Sequence, residues 1–110
     1  MDSRELVARL VGTIGRKLTA YVGGTRNVRE VDRWLASAAI NDDQESRFRL
    51  ALSVVDILVE RDPPEIVQLF LTGLNLELGD RVPLRLLRDE PVEAIAADLL
   101  AAARTMAEQG

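Results

Sequence analysis

The sequence contains no cysteine and no histidine, and its aromatic residues are one Trp, one Tyr and two Phe. Without thiols the chain can form neither a disulfide framework nor a thiolate zinc site, and without imidazole it lacks the commonest general base. So few aromatic side chains cannot form a row on which single-stranded bases stack. These absences exclude most familiar enzyme designs, so we expect no catalytic residue, no metal and no cofactor.

Long hydrophobic runs are also missing. The apolar stretch from Leu35 to Ile40 is interrupted by Ser37, whereas a membrane span needs about 20 apolar residues. Asp2 and Glu5 lie where a signal peptide would carry positive charge. We therefore expect a cytoplasmic protein with no membrane partner, and 110 residues that are 47% hydrophobic are enough for one small core.

Charge is distributed unevenly along the chain. Residues 1–38 carry seven basic and four acidic side chains, whereas residues 39–110 carry seven basic and fourteen acidic ones. The N-terminal part is thus suited to face phosphates, although a mildly acidic protein is a poor candidate for sequence-independent binding to nucleic acid. The same charges are equally explained by ordinary solvation of helix surfaces.

The spacing of apolar residues predicts an all-α protein, because no stretch alternates between apolar and polar side chains as a half-buried strand would. We expect a small helical bundle in which glycine, proline and capping residues separate the helices. The first predicted helix has Asp2 or Ser3 as its N-cap, and Gly12 and Gly15 loosen its end. The next helices are predicted over 17–22, from Asn27 to about Ser37, over 43–60, from Pro64 to Thr72, over 84–88 and from Pro91 onward.

The pattern from Lys17 to Leu35 is typical of a helix-turn-helix unit, which we place within residues 1–40. Two short helices meet at a glycine-containing bend, and Val31 and Trp34 occupy the face that would pack on the first helix of the pair. Arginine can bond guanine and asparagine can bond adenine in a major groove. The candidate DNA-contact residues are Lys17, Thr25, Arg26, Asn27, Arg29 and Arg33.

Two observations count against this interpretation. Any small helical bundle contains a helix pair of this kind, and the bend is longer than in a standard unit. Glu30 and Asp32 would also repel phosphate.

A second pattern lies between Leu69 and Arg88. It contains in order an aromatic residue, an asparagine, a leucine–glycine pair and a proline-led turn with leucines, namely Phe70, Asn75, Leu78, Gly79, Pro83, Leu84 and Leu87. Together with V-x-R-W-L at 31–35, this order resembles the Xre/MbcA/ParS antitoxin family over about residues 6–107.

The resemblance implies a dimerising α-helical antitoxin of a type II toxin–antitoxin system. Residues 41–110, the central helix and the C-terminal region, would bind a RES-domain toxin that consumes NAD and would cover its active-site entrance. Such proteins often repress their own operon through the N-terminal helices, which adds operator DNA as a partner. A homodimer or a hetero-oligomer with the toxin is expected, with the central or the last helix as the dimer interface. A helix-turn-helix regulator without a toxin remains the alternative function.

A pocket that recognises an anionic dinucleotide should carry arginines, so an acidic C-terminal region would complement it. The candidate toxin-contact residues are Asn75, Arg81, Pro83, Leu84, Leu87, Asp89, Glu90 and Glu93. A purely structural interpretation of the same segment is that Leu74, Leu76 and Leu78 fill the core while the side chain of Asn75 caps a turn.

Overall fold

The computed structural model describes residues 1–37 and 39–109. This part of the chain forms six α-helices and no strand, which confirms the predicted all-α class. The helices are α1 (Ser3–Val22), α2 (Val28–Ser37), α3 (Asp42–Val59), α4 (Pro64–Thr72), α5 (Pro83–Asp89) and α6 (Val92–Gln109), with a 3₁₀ turn (Leu76–Leu78) between α4 and α5. Nowhere in the described ranges is a helix long and apolar enough to cross a membrane.

Helix α1 is kinked at Gly15, one of the two glycines expected to loosen its end, whereas Gly12 stays helical. Gly15 has φ 85° and ψ 168°, a conformation that glycine adopts at little cost and other residues avoid. The hydroxyl of Thr19 donates a 2.7 Å hydrogen bond to the Gly15 carbonyl, and the amide of Gln68 donates to the Thr13 carbonyl at 3.1 Å. The break therefore exposes carbonyl groups that side chains from α1 itself and from α4 satisfy.

Side-chain caps fix the starts of α1, α2 and α3. The carboxylate of Asp2 accepts from the Glu5 amide at 2.8 Å, and the side-chain oxygen of Asn27 accepts from the Arg29 amide at 3.0 Å. Asn41 forms a reciprocal capping box with Gln44 at the start of α3. Because a cap of this kind contributes about 1 kcal/mol, these positions set where each helix begins.

Helix α3 lies at the centre of the bundle and packs against α1, α4, α5 and α6. Its buried side chains join those of the other helices in one apolar cluster. Fully burying one such side chain contributes about 2 kcal/mol. The core residues of α3 are Phe48, Leu50, Ala51, Leu52, Val54, Val55 and Leu58.

In α2, Val31 and Trp34 are buried whereas Val28 is 40% exposed. The structural interpretation that Leu74, Leu76 and Leu78 all fill the core is wrong for two of the three. Leu74 and Leu76 are exposed and only Leu78 of the three leucines is buried.

Candidate functional site

The turn between α1 and α2 is closed by contact between a glycine and two aromatic rings. A Cβ atom added to Gly23 would lie 2.9 Å from Phe48 Cζ and closer still to Trp34 Cη2. The Trp34 and Phe48 rings meet edge to face with centroids 5.4 Å apart. The side chain of Gln44 donates to the Gly23 carbonyl at 2.9 Å. Helix α2 is thus held against both α1 and the start of α3.

Two of the predicted DNA-contact residues shape this turn. The hydroxyl of Thr25 accepts from the Asn27 amide at 3.0 Å, and the side-chain oxygen of Asn27 accepts from Arg29. Thr25 is half-buried and Asn27 is exposed. These hydrogen bonds fix the backbone of the turn. Because the side-chain oxygen of Asn27 already accepts one hydrogen bond, contact with a base would depend mainly on its side-chain NH₂ group.

The predicted basic residues fall into two groups. Arg33 pairs with Glu30 at 2.8 Å, and Arg16 pairs with Asp32. The other exposed cations around this turn form no ion pair within the described part of the chain: Lys17, Arg26 and Arg29. Arg26 and Arg29 therefore bring positive charge to the start of α2, and Lys17, on α1, lines a pocket together with Arg26. Both acidic residues of α2 are paired.

Residues 73–82 form an ordered loop that we call the leucine loop. The Asn75 amide donates to the Arg81 carbonyl at 3.1 Å, and the Asp80 amide donates to the Asn75 carbonyl at 2.9 Å. Gly79 and Asp80 both have positive φ, 68° and 61°, which turns the chain back on itself. Leu78 anchors the loop because it is 2% exposed.

The same loop presents two leucines to solvent. Leu74 is 74% exposed and Leu76 is 83% exposed. The expectation that Asn75 caps the turn with its side chain is wrong, since its backbone makes the contacts and its side chain makes no capping bond. The loop is therefore built by its backbone and by Leu78, which leaves Leu74 and Leu76 without a packing role in this chain.

A groove of about 320 Å³ lies between the leucine loop and α5. It brings together three of the predicted toxin-contact residues, Arg81, Asp89 and Glu90, with Leu74 and Asp80. The guanidinium of Arg81 already makes one hydrogen bond inside the loop, since its Nε donates to the Leu78 carbonyl at 2.7 Å. We call this surface the carboxylate groove.

The other predicted toxin-contact residues lie elsewhere. Pro83, Leu84 and Leu87 are buried because they pack α5 onto the core, so these three side chains present little surface to a partner. Asn75 is half-buried within the leucine loop, and Glu93 is exposed in the first turn of α6.

Two arginines make contacts near the end of α5 that the sequence does not indicate. Arg47 on α3 donates to the carbonyls of Leu87 and Glu90 at 2.8 and 2.6 Å and pairs with Asp43. The guanidinium of Arg88 lies 4.4 Å from the ring centroid of Tyr21. The i,i+4 spacing of Asp43 and Arg47 was visible in the sequence, but it indicates only an ordinary pair on a helix surface.

Within residues 1–37 and 39–109, no group of three or more acidic side chains could hold a metal ion. Comparison with known proteins adds no relative: no protein-family model, curated protein or solved structure matches the chain. Function is therefore inferred from two surfaces, the basic end of α2 and the leucine loop with its carboxylate groove.

Proposed function

We propose that this protein is an antitoxin that binds and blocks a RES-domain, NAD-consuming toxin through the leucine loop and the carboxylate groove. One observation carries the proposal: Leu74 and Leu76 are 74% and 83% exposed on a loop whose backbone is fixed by hydrogen bonds. Leu74 borders the carboxylate groove beside α5 and Leu76 borders a separate groove beside α6, so the loop offers an apolar anchor on each side.

The leucine loop is already ordered in the free chain, which favours tight binding. A flexible loop must lose conformational freedom when it docks, whereas the leucine loop is already closed by the contacts between Asn75 and Arg81. Leu74 and Leu76 can then act as anchors that enter pockets on the partner, and each leucine that becomes buried contributes about 2 kcal/mol before the costs of association.

Charge beside the anchors supports the choice of partner. Asp80, Asp89 and Glu90 place three carboxylates on the groove next to Leu74, and two arginines, Arg81 and Arg85, line the same groove. Asp89 is also 3.8 Å from the Arg88 guanidinium, so the groove carries only a small excess of negative charge. An NAD-binding pocket needs cationic side chains for the pyrophosphate, so these carboxylates complement the rim of such a pocket. Complementary charge would speed association, and the apolar anchors would hold the complex.

The buried residues of α5 have a positioning role in this proposal. Leu84 and Leu87 pack α5 into the core, and Arg47 binds the carbonyls at its end. The α5 end is thereby fixed, which places Asp89 and Glu90 beside the leucine loop.

Co-expression with the adjacent reading frame tests the proposal. We expect the adjacent frame alone to arrest growth and deplete NAD, and expression of this chain to restore both. The double variant Leu74→Asp/Leu76→Asp should fail to protect, while Val59→Asp, a change at another exposed apolar position, should protect fully. A harmless neighbour, or protection by the double variant, would contradict the proposal.

A second candidate function is operator binding by α1 and α2, with or without a toxin partner. The observation that favours it is that Arg26 and Arg29, at the start of α2, form no ion pair within residues 1–37 and 39–109, and that Lys17 on α1 lines a pocket with Arg26. Recognition helices enter the major groove with their N-terminal residues, which is the end of α2 where Arg26 and Arg29 lie.

A mobility-shift titration on the upstream DNA tests this second function. Arg26→Ala/Arg29→Ala should abolish a specific shift, and Arg33→Ala, which removes a cation already paired with Glu30, should change it little. Affinity should fall steeply with added salt because phosphate contacts release counterions. An unchanged shift in the double variant would reject the assignment of α2.

A further inference from the structure

The end of α1 and the turn that follows it enclose a recess of about 320 Å³. Lys17, Leu18 and Tyr21 line it from α1, and Thr25 and Arg26 line it from the turn. We call these five residues the cationic recess. Its volume lies at the lower end of the range of small-molecule sites, about 300–1,000 Å³. The recess is therefore large enough for a molecule with a single ring.

Backbone hydrogen bonds fix the shape of the cationic recess. The Gly24 amide donates to the Tyr21 carbonyl at 3.0 Å, and the Thr25 amide donates to the Ala20 carbonyl at 3.1 Å. Gly24 has φ 89°, which turns the chain back toward the end of α1. The two parts of the recess are thus held together before any ligand binds, which lowers the entropy lost on binding.

The cationic recess carries positive charge. Lys17 and Arg26 are exposed, and neither forms an ion pair within residues 1–37 and 39–109. None of the described residues that line the recess is acidic. Lys17 also borders a groove with Glu65, but the two side chains are not paired. Two cations therefore line one recess, where they attract an anion.

The hydroxyl of Thr25 adds a hydrogen-bond donor. Its oxygen accepts from the Asn27 amide at 3.0 Å, which leaves the hydroxyl hydrogen available for another acceptor. Lys17, Thr25 and Arg26 together therefore offer donors to several oxygen atoms of one anion. A phosphate monoester has three acceptor oxygens and a charge of about −1.5 to −2 at neutral pH, so it matches two cations better than a singly charged carboxylate does.

Apolar side chains line the rest of the cationic recess. Leu18 and Tyr21 are half-buried, and the Arg88 guanidinium lies 4.4 Å from the centroid of the Tyr21 ring. This contact orients the ring and adds positive charge beside it, although Arg88 Nε is also 3.8 Å from Asp89. A bare phosphate or a phosphodiester of a DNA backbone would cover little of this apolar surface, whereas an aromatic ring can pack against Leu18 and Tyr21.

We propose that the cationic recess binds a small aromatic phosphate monoester. The phosphate accepts hydrogen bonds from Lys17, Thr25 and Arg26, and the ring packs against Leu18 and Tyr21. Binding here requires neither a toxin nor DNA, so it is independent of the proposed antitoxin function. Arg26 is also a candidate DNA contact, so an occupied recess would compete with operator DNA, and this consequence alone rests on the second candidate function.

An NMR titration of the ¹⁵N-labelled full chain with phenyl phosphate tests the proposal. We expect saturable shifts of the amide signals of Tyr21, Thr25 and Arg26. Two comparison ligands are titrated at the same ionic strength: inorganic phosphate, which has no ring, and methyl phenyl phosphate, a diester with a single charge like that of a DNA backbone. Each should bind at least about five-fold more weakly than phenyl phosphate, a difference of about 1 kcal/mol.

Substitutions that remove a charge but keep an unbranched side chain locate the site. Lys17→Met and Arg26→Met should each raise the dissociation constant of phenyl phosphate at least about five-fold. The matched control Arg29→Met removes an exposed cation that does not line the recess and should leave the dissociation constant within two-fold. Circular dichroism checks that each variant retains its helix content. Absence of saturable shifts, a comparison ligand that binds as tightly as phenyl phosphate, or an equal loss in Arg29→Met would overturn the proposal.

Discussion

The guanidinium of Arg47 on α3 donates a 2.8 Å hydrogen bond to the backbone carbonyl of Leu87 on α5. It also donates at 2.6 Å to the carbonyl of Glu90, just past the end of α5. Carbonyl groups at a helix end have no partner within the helix, and a charged donor satisfies them well. The central helix thereby fixes the position of the segment that carries Asp89 and Glu90.

Removing this guanidinium should destabilise the protein. Hydrogen bonds that involve a charged group contribute about 1.5–3 kcal/mol, so we expect Arg47→Met to lower the free energy of unfolding by about 2 kcal/mol in urea denaturation. Arg49→Met is the matched control, because Arg49 is an exposed arginine on the same helix, 3.7 Å from Glu45, and should change stability by less than about 0.5 kcal/mol. Equal effects of the two substitutions would contradict a capping role for Arg47.

The close approach at Gly23 predicts a second effect on stability. Gly23→Ala would force its methyl group into the Trp34 and Phe48 rings, and overpacking of this kind costs about 1–3 kcal/mol. Gly12→Ala provides the opposite control, since Gly12 is helical with open space around it, and should stabilise by about 0.5–1 kcal/mol. Thermal unfolding should therefore shift in opposite directions for the two variants, and a shift in the same direction would refute the packing argument.

The left-handed conformation of Gly79 predicts a third effect. Gly79 has φ 68° and ψ 40°. Gly79→Ala should lower the free energy of unfolding by about 1 kcal/mol or slightly more, whereas Gly79→Asn should lower it less because asparagine tolerates this region. Urea denaturation of both variants measures the difference. If Gly79→Ala and Gly79→Asn lower the free energy of unfolding equally, the leucine loop does not depend on the left-handed conformation at this position.

The sequence predicts most of the fold because helix limits are encoded locally. The polar segment 41–44 marks the turn before α3, and Pro63 with Pro64 marks the boundary before α4. Gly12 and Gly15 indicate a weak point in α1, although the sequence does not show that only Gly15 leaves the helical conformation. These signals act within a few residues, so they can be recognised without the tertiary structure.

The candidate surfaces are harder to predict, because burial depends on contacts distant in sequence. Leu74, Leu76 and Leu78 alternate along the chain and look equivalent, yet only Leu78 faces the core. Arg47 resembles any surface arginine until α5 packs against it, about forty residues later. For the same reason, the sequence pattern alone does not distinguish Leu84 and Leu87, which pack in the core of this chain, from leucines that contact a partner.

The most direct measurement is a calorimetric titration of the purified chain into the protein encoded by the adjacent reading frame, which we propose to be the toxin. We expect tight binding by the unmodified chain and a dissociation constant at least 100-fold higher for Leu74→Asp/Leu76→Asp, which is a loss of about 2.7 kcal/mol in binding free energy. The free energy of unfolding of the double variant should be unchanged. Val59→Asp should bind like the unmodified chain. Equal affinity of the double variant and the unmodified chain, or no binding by either, would contradict the assignment of the leucine loop as the toxin-binding surface.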